Sequence, residues 1–295
     1  MTHPTKTNHS LQCMEIVGSN QVARQLVSGA GLDIWIDSQP LERGSGGGDI
    51  HYVSTCGAGY VTRLVLADVA GHGAAVDGIA QSLRKLMRKY INTLDQTQFA
   101  IALNHEFSEF AEAGRFATAL ILTYFAPTNH LIVCNAGHCR PLWYNAERAA
   151  WQALDPEGAG ECESLKQSKA RYHFERLANL PLGILEPTDY EQFAVRLRPG
   201  DLLVLYTDGV TESTDSTGKQ LGEAGLLEVC RTISIEPAAA MGDQIAARCR
   251  ARQGHAAATD DCSLIVVEHT ATRSPKPSLS RSMRILAKIL GLSQV

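Results

Sequence analysis

The sequence has no apolar run long enough to cross a bilayer. Its longest apolar stretches, residues 118–126 and 202–206, fall far short of the roughly 18–20 residues that a transmembrane helix needs. The first ten residues are polar and have no apolar core, unlike a secretory signal. Hydrophobic residues nevertheless make up 44% of the 295, which excludes a chain that is disordered throughout. These features predict a folded cytoplasmic protein.

The eight cysteines include no Cys-x-x-Cys pair, so a zinc site of repeated close pairs is not indicated. They lie at positions 13, 56, 134, 139, 162, 230, 249 and 262. Several fall in apolar runs, where cysteine packs as a small hydrophobic residue. Because a cytoplasmic location keeps thiols reduced, we expect free cysteines.

Outside the last 25 positions, acidic residues outnumber basic residues. The formal net charge is −4, and the tail 271–295 carries five basic residues and no acidic one, which leaves −9 on residues 1–270. Nucleic-acid binding needs Lys and Arg to replace phosphate counterions. The acidic body therefore predicts a protein that does not bind nucleic acid.

The hydrophobic pattern predicts an α+β fold. Residues 32–37 alternate as a half-buried strand does, and strands are also predicted at 61–67, 202–207 and 264–267. A hairpin is predicted from strands 119–125 and 131–134, and residues 146–176 are expected to form a loop. Amphipathic helices are expected after Gly73, near Thr97, and at 223–233 and 237–252. Strands and helices do not alternate regularly, which favours antiparallel sheets with helices outside them.

Four aspartates stand at strand ends or glycine turns. Asp49 ends a glycine turn, Asp68 and Asp208 each end an apolar strand, and Asp260 precedes one. Any one of them alone is best explained as a helix cap or a turn residue. Carboxylates at strand ends that converge on one rim would repel each other and require cations. The set therefore favours a site for hard ions such as Mg²⁺ or Mn²⁺.

Seven motifs occur in a fixed order and carry a family resemblance. They are Gly47-Gly-Asp49, Ala67-Asp-Val-Ala-Gly-His-Gly73, Phe116-Ala-Thr-Ala-Leu120, Asn135-Ala-Gly-His138, Leu180-Pro-Leu-Gly183, Tyr206-Thr-Asp-Gly-Val-Thr-Glu212 and Thr259-Asp-Asp-Cys-Ser-Leu264. Together they resemble the PPM-type (phosphatase 2C-like) metal-dependent serine/threonine phosphatases, and the SpoIIE-like bacterial branch in particular. A single Gly-Gly-Asp also occurs in nucleotide cyclases, but that family does not explain the other six motifs.

The resemblance implies two stacked antiparallel β-sheets flanked by helices and a site for two Mn²⁺ or Mg²⁺ ions. By motif, Asp68 would bridge the ions, the carbonyl of Val69 would bind one, Asp208 and Asp260 would hold the other, and Asp49 would lie beside them. Water activated between such ions attacks phosphorus directly, so no cysteine nucleophile is required. Asp261 occupies a position where relatives have Asn or Asp, and its role as a ligand stays open.

Three further residues have competing interpretations. His72 is either the general acid for the leaving group or a residue that shapes the turn before a helix. His138 is better explained as an ordered loop histidine than as a catalytic one. Arg43, the nearest candidate for a phosphate-binding arginine, lies in a glycine-rich segment where arginine is usually only solvated.

The resemblance also predicts a division of the chain. Residues 1–30 form an N-terminal segment with a short helix over 16–26, and residues 31–270 form the phosphatase domain. Residues 271–295 comprise a basic linker and an amphipathic helix. That helix either packs back on the acidic body or docks through residues 279–292 on anionic lipid or a partner.

The predicted function is a protein serine/threonine phosphatase in partner-switching control of sigma factors. For this branch, the resemblance suggests a phosphorylated STAS-domain anti-sigma factor antagonist as the substrate. Two alternatives stay open: an inactive binding module with this fold, and a hydrolase of small phosphate esters, since metal ions recognise phosphate rather than its carrier.

Overall fold

A computed structural model shows two seven-stranded sheets packed face to face. It describes residues 7–12, 15–41, 46–56, 59–70, 74–90, 95–110, 115–156, 163–164, 178–253, 258–271 and 283. The described strands alternate between inward and outward side chains, and the inward sides of both sheets contribute to a single apolar cluster.

The first sheet has the strand order β1-β3-β4-β14-β13-β9-β10. Its strands are β1 (Thr7–Ser10), β3 (Ala23–Gly29), β4 (Leu32–Gln39), β9 (Leu142–Asn145), β10 (Ala150–Ala153), β13 (Leu202–Tyr206) and β14 (Cys262–His269). All described pairs in it are antiparallel except β1 with β3.

The second sheet has the order β11-β12-β8-β7-β6-β5-β2, and all its described pairs are antiparallel. Its strands are β2 (Ile16–Ser19), β5 (Asp49–Cys56), β6 (Val61–Val69), β7 (Ala117–Phe125), β8 (His130–Ala136), β11 (Glu163–Ser164) and β12 (Gln192–Arg196).

Five helices cover the outer faces or connect strands. They are α1 (Ala74–Lys89), α2 (Gln96–Phe110), α3 (Asp208–Glu212), α4 (Gly222–Arg231) and α5 (Ala238–Gln253). Apolar residues of α1 and α2 pack on β5, β6 and β7, while those of α4 and α5 pack on β4, β13 and β14. The fold is therefore a four-layer α-β-β-α sandwich, which confirms the predicted α+β class.

Most predicted elements are confirmed. The hairpin consists of β7 and β8, and the tight turn between them ends at Asn129, which has a positive φ of 59°. Asparagine tolerates this left-handed conformation better than most residues do. The predicted helices correspond to α1, α2, α4 and α5, and the predicted strands to β4, β6, β13 and β14.

Three local predictions are wrong. The segment predicted as a helix over residues 16–26 contains β2 and the start of β3, because both segments pair with neighbouring strands. Within the expected loop 146–176, residues 150–153 form β10 against β9. The strand at 32–37 is buried on both faces, because α5 covers the side of Trp35 that the alternation assigned to solvent.

The C-terminal helix predicted over 279–292 lies outside the described residues, apart from Met283, which is exposed. None of the helices among the described residues is long and apolar enough to cross a membrane.

Candidate metal centre

Two of the candidate aspartates face each other in the second sheet. Asp49 is the first residue of β5, and Asp68 is the penultimate residue of β6; the two are direct antiparallel partners. The preceding glycine turn is tied to the same strand end, because the Val69 N–H donates a hydrogen bond to the Gly48 carbonyl at 3.1 Å. Since β6 ends at Val69, both Asp68 and Val69 lie where the strands of the second sheet end.

The other two candidates come from the first sheet. Asp208 follows β13 and begins α3, while Asp260 precedes β14. Since β13 and β14 are antiparallel, with Tyr206 opposite Leu264, the end of one strand lies beside the start of the other. This pairing brings the two aspartates to the same end of the first sheet.

A buried hydroxyl connects the two halves of the site. The Thr207 side chain, which is fully buried, donates a hydrogen bond to Asp49 Oδ2 at 2.7 Å. The Thr207 hydroxyl oxygen in turn accepts the Ser263 N–H at 3.0 Å. Thr207 therefore links an acid of the second sheet to the strand ends of the first. Sequence reasoning did not single it out, although it lies within a quoted motif.

The electrostatics show that these carboxyl groups share one region. Burial, followed by the neighbouring carboxylates of Asp208 and Asp260, raises the pKa of Asp68 to about 7. Burial, then Asp68, raises the pKa of Asp49 well above its usual value. Burial and Asp260 likewise raise the pKa of Asp208. A nearby cation would relieve each of these costs.

Asp261 has a structural role that the sequence left open. Its carboxylate accepts the backbone N–H of Leu41 at 2.6 Å and that of Gly48 at 2.5 Å, so each oxygen holds the segment before Asp49. A Cβ on Gly47 would lie 2.5 Å from Asp261 Oδ2, and one on Gly209 would lie 1.9 Å from its carbonyl oxygen. Both glycines are therefore required for this close approach.

His138 lies behind the acids and is buried. Its Nδ1 hydrogen-bonds Thr118 Oγ1 at 2.7 Å, and Thr118 is the strand partner of Asp68. Burial lowers the pKa of His138 to about 4. The loop geometry expected for this histidine is present, because the Asn135 amide bonds its backbone N–H and carbonyl. His72 and Arg43 lie outside the described residues.

The chemistry of the donor set fits a hard divalent cation. Carboxylate oxygens are the ligands that Mg²⁺ and Mn²⁺ prefer, and the raised pKa values of Asp49 and Asp68 indicate uncompensated negative charge. Among the described residues, no three His, Cys, Asp or Glu side chains already converge on a single ion position. The four acids thus share one rim and one electrostatic environment.

The described cysteines do not resemble nucleophiles. Cys134, Cys139, Cys230, Cys249 and Cys262 are free, and burial raises the pKa of each thiol to about 11 or 12. For Cys139, the carboxylates of Asp208 and Asp68 contribute to this raised pKa. Such thiols are protonated at neutral pH and therefore unreactive.

Known proteins resemble this chain in sequence and in fold. The curated relative "Phosphoserine phosphatase RsbU" of Bacillus subtilis (strain 168) is 28% identical over 193 residues, which are 63% of this chain and 49% of the relative. The chain spans about half the length of the curated relatives it matches.

Two solved structures share the fold. A crystal structure of the RsbU and RsbW domains of a Mycobacterium tuberculosis protein aligns with a TM-score of 0.64 and 21% identity, over 94% of this chain and 72% of that one. The catalytic domain of the serine/threonine phosphatase PstP, in complex with two manganese ions, aligns with a TM-score of 0.52 and 15% identity, over 81% and 98%.

A family model also matches the chain. The model described as "Stage II sporulation protein E (SpoIIE)" matches residues 59–160 and 165–270, which is more than half of the chain. These two segments contain Asp68, Asp208 and Asp260, the strand-end acids that the two sheets bring to one rim. On this evidence the chain belongs to the SpoIIE family.

Proposed function

We propose that this chain is a metal-dependent protein serine/threonine phosphatase. The observation that carries the proposal is the meeting of Asp49 and Asp68 from one sheet with Asp208 and Asp260 from the other. Membership of the SpoIIE family and the sequence similarity to RsbU, a phosphoserine phosphatase, support it.

In this proposal, Asp68, Asp208, Asp260 and the Val69 carbonyl hold two Mn²⁺ or Mg²⁺ ions, with Asp49 beside them. When bound, such ions supply a water of lowered pKa and neutralise charge on the phosphoryl group. The PstP structure, which contains two manganese ions, supports this choice of ion.

The remaining residues of the rim orient these ligands. The Thr207 hydroxyl fixes one oxygen of Asp49. Asp261 holds the turn that precedes Asp49 through two backbone N–H groups. No thiol takes part, because each described cysteine is held in its protonated form by burial.

The substrate class that we propose is a phosphoserine or phosphothreonine protein of a partner-switching system, specifically a STAS-domain anti-sigma factor antagonist, in the cytoplasm. The RsbU relative and the Mycobacterium tuberculosis structure, which contains RsbU and RsbW domains, support this class. A partner-switching phosphatase would act opposite the kinase that phosphorylates the same antagonist.

The test compares two substrates under controlled metal supply. The full chain, freed of metal and then given Mn²⁺ or Mg²⁺, should release phosphate from p-nitrophenyl phosphate and from a STAS-domain phosphoprotein. Asp68→Asn should remove both activities and weaken Mn²⁺ binding measured by calorimetry, whereas Asp33→Asn, in β4, should not. Full activity of Asp68→Asn, or activity that survives exhaustive chelation, would overturn the mechanism. Hydrolysis of small esters alone would overturn the substrate class.

A further inference from the structure

A cavity of about 440 Å³ lies at the end of the sandwich opposite the acids. It is bounded by the ends of β9 and β12, by the turn at Asn129, and by residues 197–199 before β13. Because β13 runs from this end to Thr207 over five residues, roughly 17 Å of strand separates the cavity from the candidate metal centre. The cavity is therefore a separate feature of the fold.

Basic side chains dominate the rim of the cavity. Arg148, Arg196 and Arg198 line it, together with a single acid, Glu147, which forms an ion pair with Arg198. Neither Arg148 nor Arg196 forms an ion pair with another described residue. The rim thus carries more positive charge than its own acid neutralises, in a chain whose net charge is negative.

The backbone of this rim is held in place independently of any ligand. Asp201, which is 1% exposed, accepts the N–H groups of Ala146 at 2.8 Å and of Arg198 at 3.0 Å. The Asn129 carbonyl accepts the Leu197 N–H at 2.8 Å. Asp201 adds a buried negative charge below the rim, but its oxygens are bonded to backbone rather than to the arginine side chains. These hydrogen bonds therefore hold the backbone near the arginines in place.

Apolar side chains also line the cavity. Val195, Leu197 and Trp143 are among its lining residues, and all three are more than nine-tenths buried.

We propose that this cavity binds a small organic anion, with its acidic group at Arg148 and Arg196 and its apolar or aromatic part against Trp143, Val195 and Leu197. The volume lies within the range of small-molecule pockets, which combine an apolar lining with a few polar groups that fix orientation. Arginine side chains are donors only, so they select a ligand rich in acceptors, such as a carboxylate, sulfonate or phosphate.

The test uses naphthalene-2-sulfonate as the probe, because phosphatase activity cannot hydrolyse a sulfonate. Calorimetry on the metal-free full chain should show saturable one-to-one binding of the sulfonate. The matched neutral compound naphthalene-2-sulfonamide should bind at least about tenfold more weakly, because it lacks the charge that the arginines recognise. Equal affinity for the two compounds, or no binding of the sulfonate, would overturn the proposal.

Two variants locate the binding. Arg148→Ala combined with Arg196→Ala should weaken the sulfonate about tenfold or more, while Arg88→Ala, an exposed arginine on α1, should leave affinity unchanged. Wild-type affinity in the double arginine variant would overturn the proposal. Because the assay needs neither metal nor turnover, its result is independent of phosphatase activity.

Discussion

Asp68 is the residue whose ionisation is most informative about the rim. Its folded-state pKa of about 7 lies above the ordinary value near 4 of an aspartate in an unfolded chain. The folded state therefore binds more protons between these two values. The contribution of Asp68 to the free energy of unfolding is fully present below about pH 4 and is lost as the pH rises through about 7.

We expect Asp68→Asn to reveal this dependence in metal-free protein. At pH 8 the variant should melt a few degrees above the wild type, as expected for about 1 kcal/mol or more in a chain of this size, because it removes one of several mutually repelling carboxylates. At pH 5 the carboxyl of the folded wild type is mostly protonated, so the difference between the two melting temperatures should be much smaller than at pH 8.

The variant and the wild type must be compared with each other at the same pH. Burial lowers the pKa of His51 and His138, so these histidines make the free energy of unfolding rise with pH in both proteins. Adding Mn²⁺ should raise the melting temperature of the wild type and reverse the order at pH 8. A difference that is the same at both pH values would contradict the electrostatic account.

Thr207 offers a second test at the residue scale. Thr207→Val removes both the donor to Asp49 and the acceptor of the Ser263 N–H, so it should lower the free energy of unfolding by about 1–3 kcal/mol. It should also weaken Mn²⁺ binding several-fold, because Asp49 loses its orientation. Thr207→Ser retains the hydroxyl and serves as the control. Calorimetry that shows wild-type Mn²⁺ affinity in the valine variant would refute this role.

At the scale of elements, the sequence predicted those helices and strands whose formation depends on their own local residue pattern. The helices α1, α2, α4 and α5 follow from their own periodicity and turn residues. The N-terminal strands do not, because β2 and β3 are stabilised by pairing with β5 and β4, which no local pattern reveals. In β4, Trp35 was assigned to solvent because alternation alone cannot show that a distant helix, α5, covers that face.

The contact between α5 and β4 gives a prediction for an element. A Cβ on Gly242 would lie 2.2 Å from the Trp35 ring, so Gly242→Ala should force the helix away from the sheet and destabilise the protein by about 1–3 kcal/mol. Gly78, on an exposed face of α1, has nothing within 4 Å of such a Cβ. Gly78→Ala should therefore stabilise by about 0.5–1 kcal/mol. Chemical denaturation measures both changes, and equal effects would contradict this packing.

The candidate site shows the same division between local and distant information. The four aspartates were recognisable because each interrupts or borders an apolar strand. The contributions of Thr207 and Asp261 were not, since they depend on contacts with Asp49 and Gly48, far away in the chain. Hydroxyl and carboxyl groups in a motif do not indicate which of them bind ions and which orient the ligands.

At the scale of the whole molecule, five cysteines whose side chains the structure describes are all buried or partly buried, namely Cys134, Cys139, Cys230, Cys249 and Cys262. We expect alkylation of the native protein with N-ethylmaleimide to leave most metal-dependent phosphatase activity in place, because raised thiol pKa values leave little thiolate.

Cys139→Ser, which alters the described cysteine nearest to Asp208 and Asp68, should likewise remain active. Mass spectrometry of native and denatured protein would count the protected thiols. Loss of activity in proportion to the modification of one cysteine, with metal still bound, would refute a mechanism that uses water.

The division of the acids between two sheets makes the metal centre a product of the complete tertiary structure. Asp49 and Asp68 belong to one sheet and Asp208 and Asp260 to the other, so a partially folded chain with only one sheet formed has at most half of the set. Such an intermediate lacks the full proposed ligand set, and its unpaired carboxylates favour solubility over collapse. The full proposed ligand set would therefore exist only in a chain in which both sheets have formed and packed together.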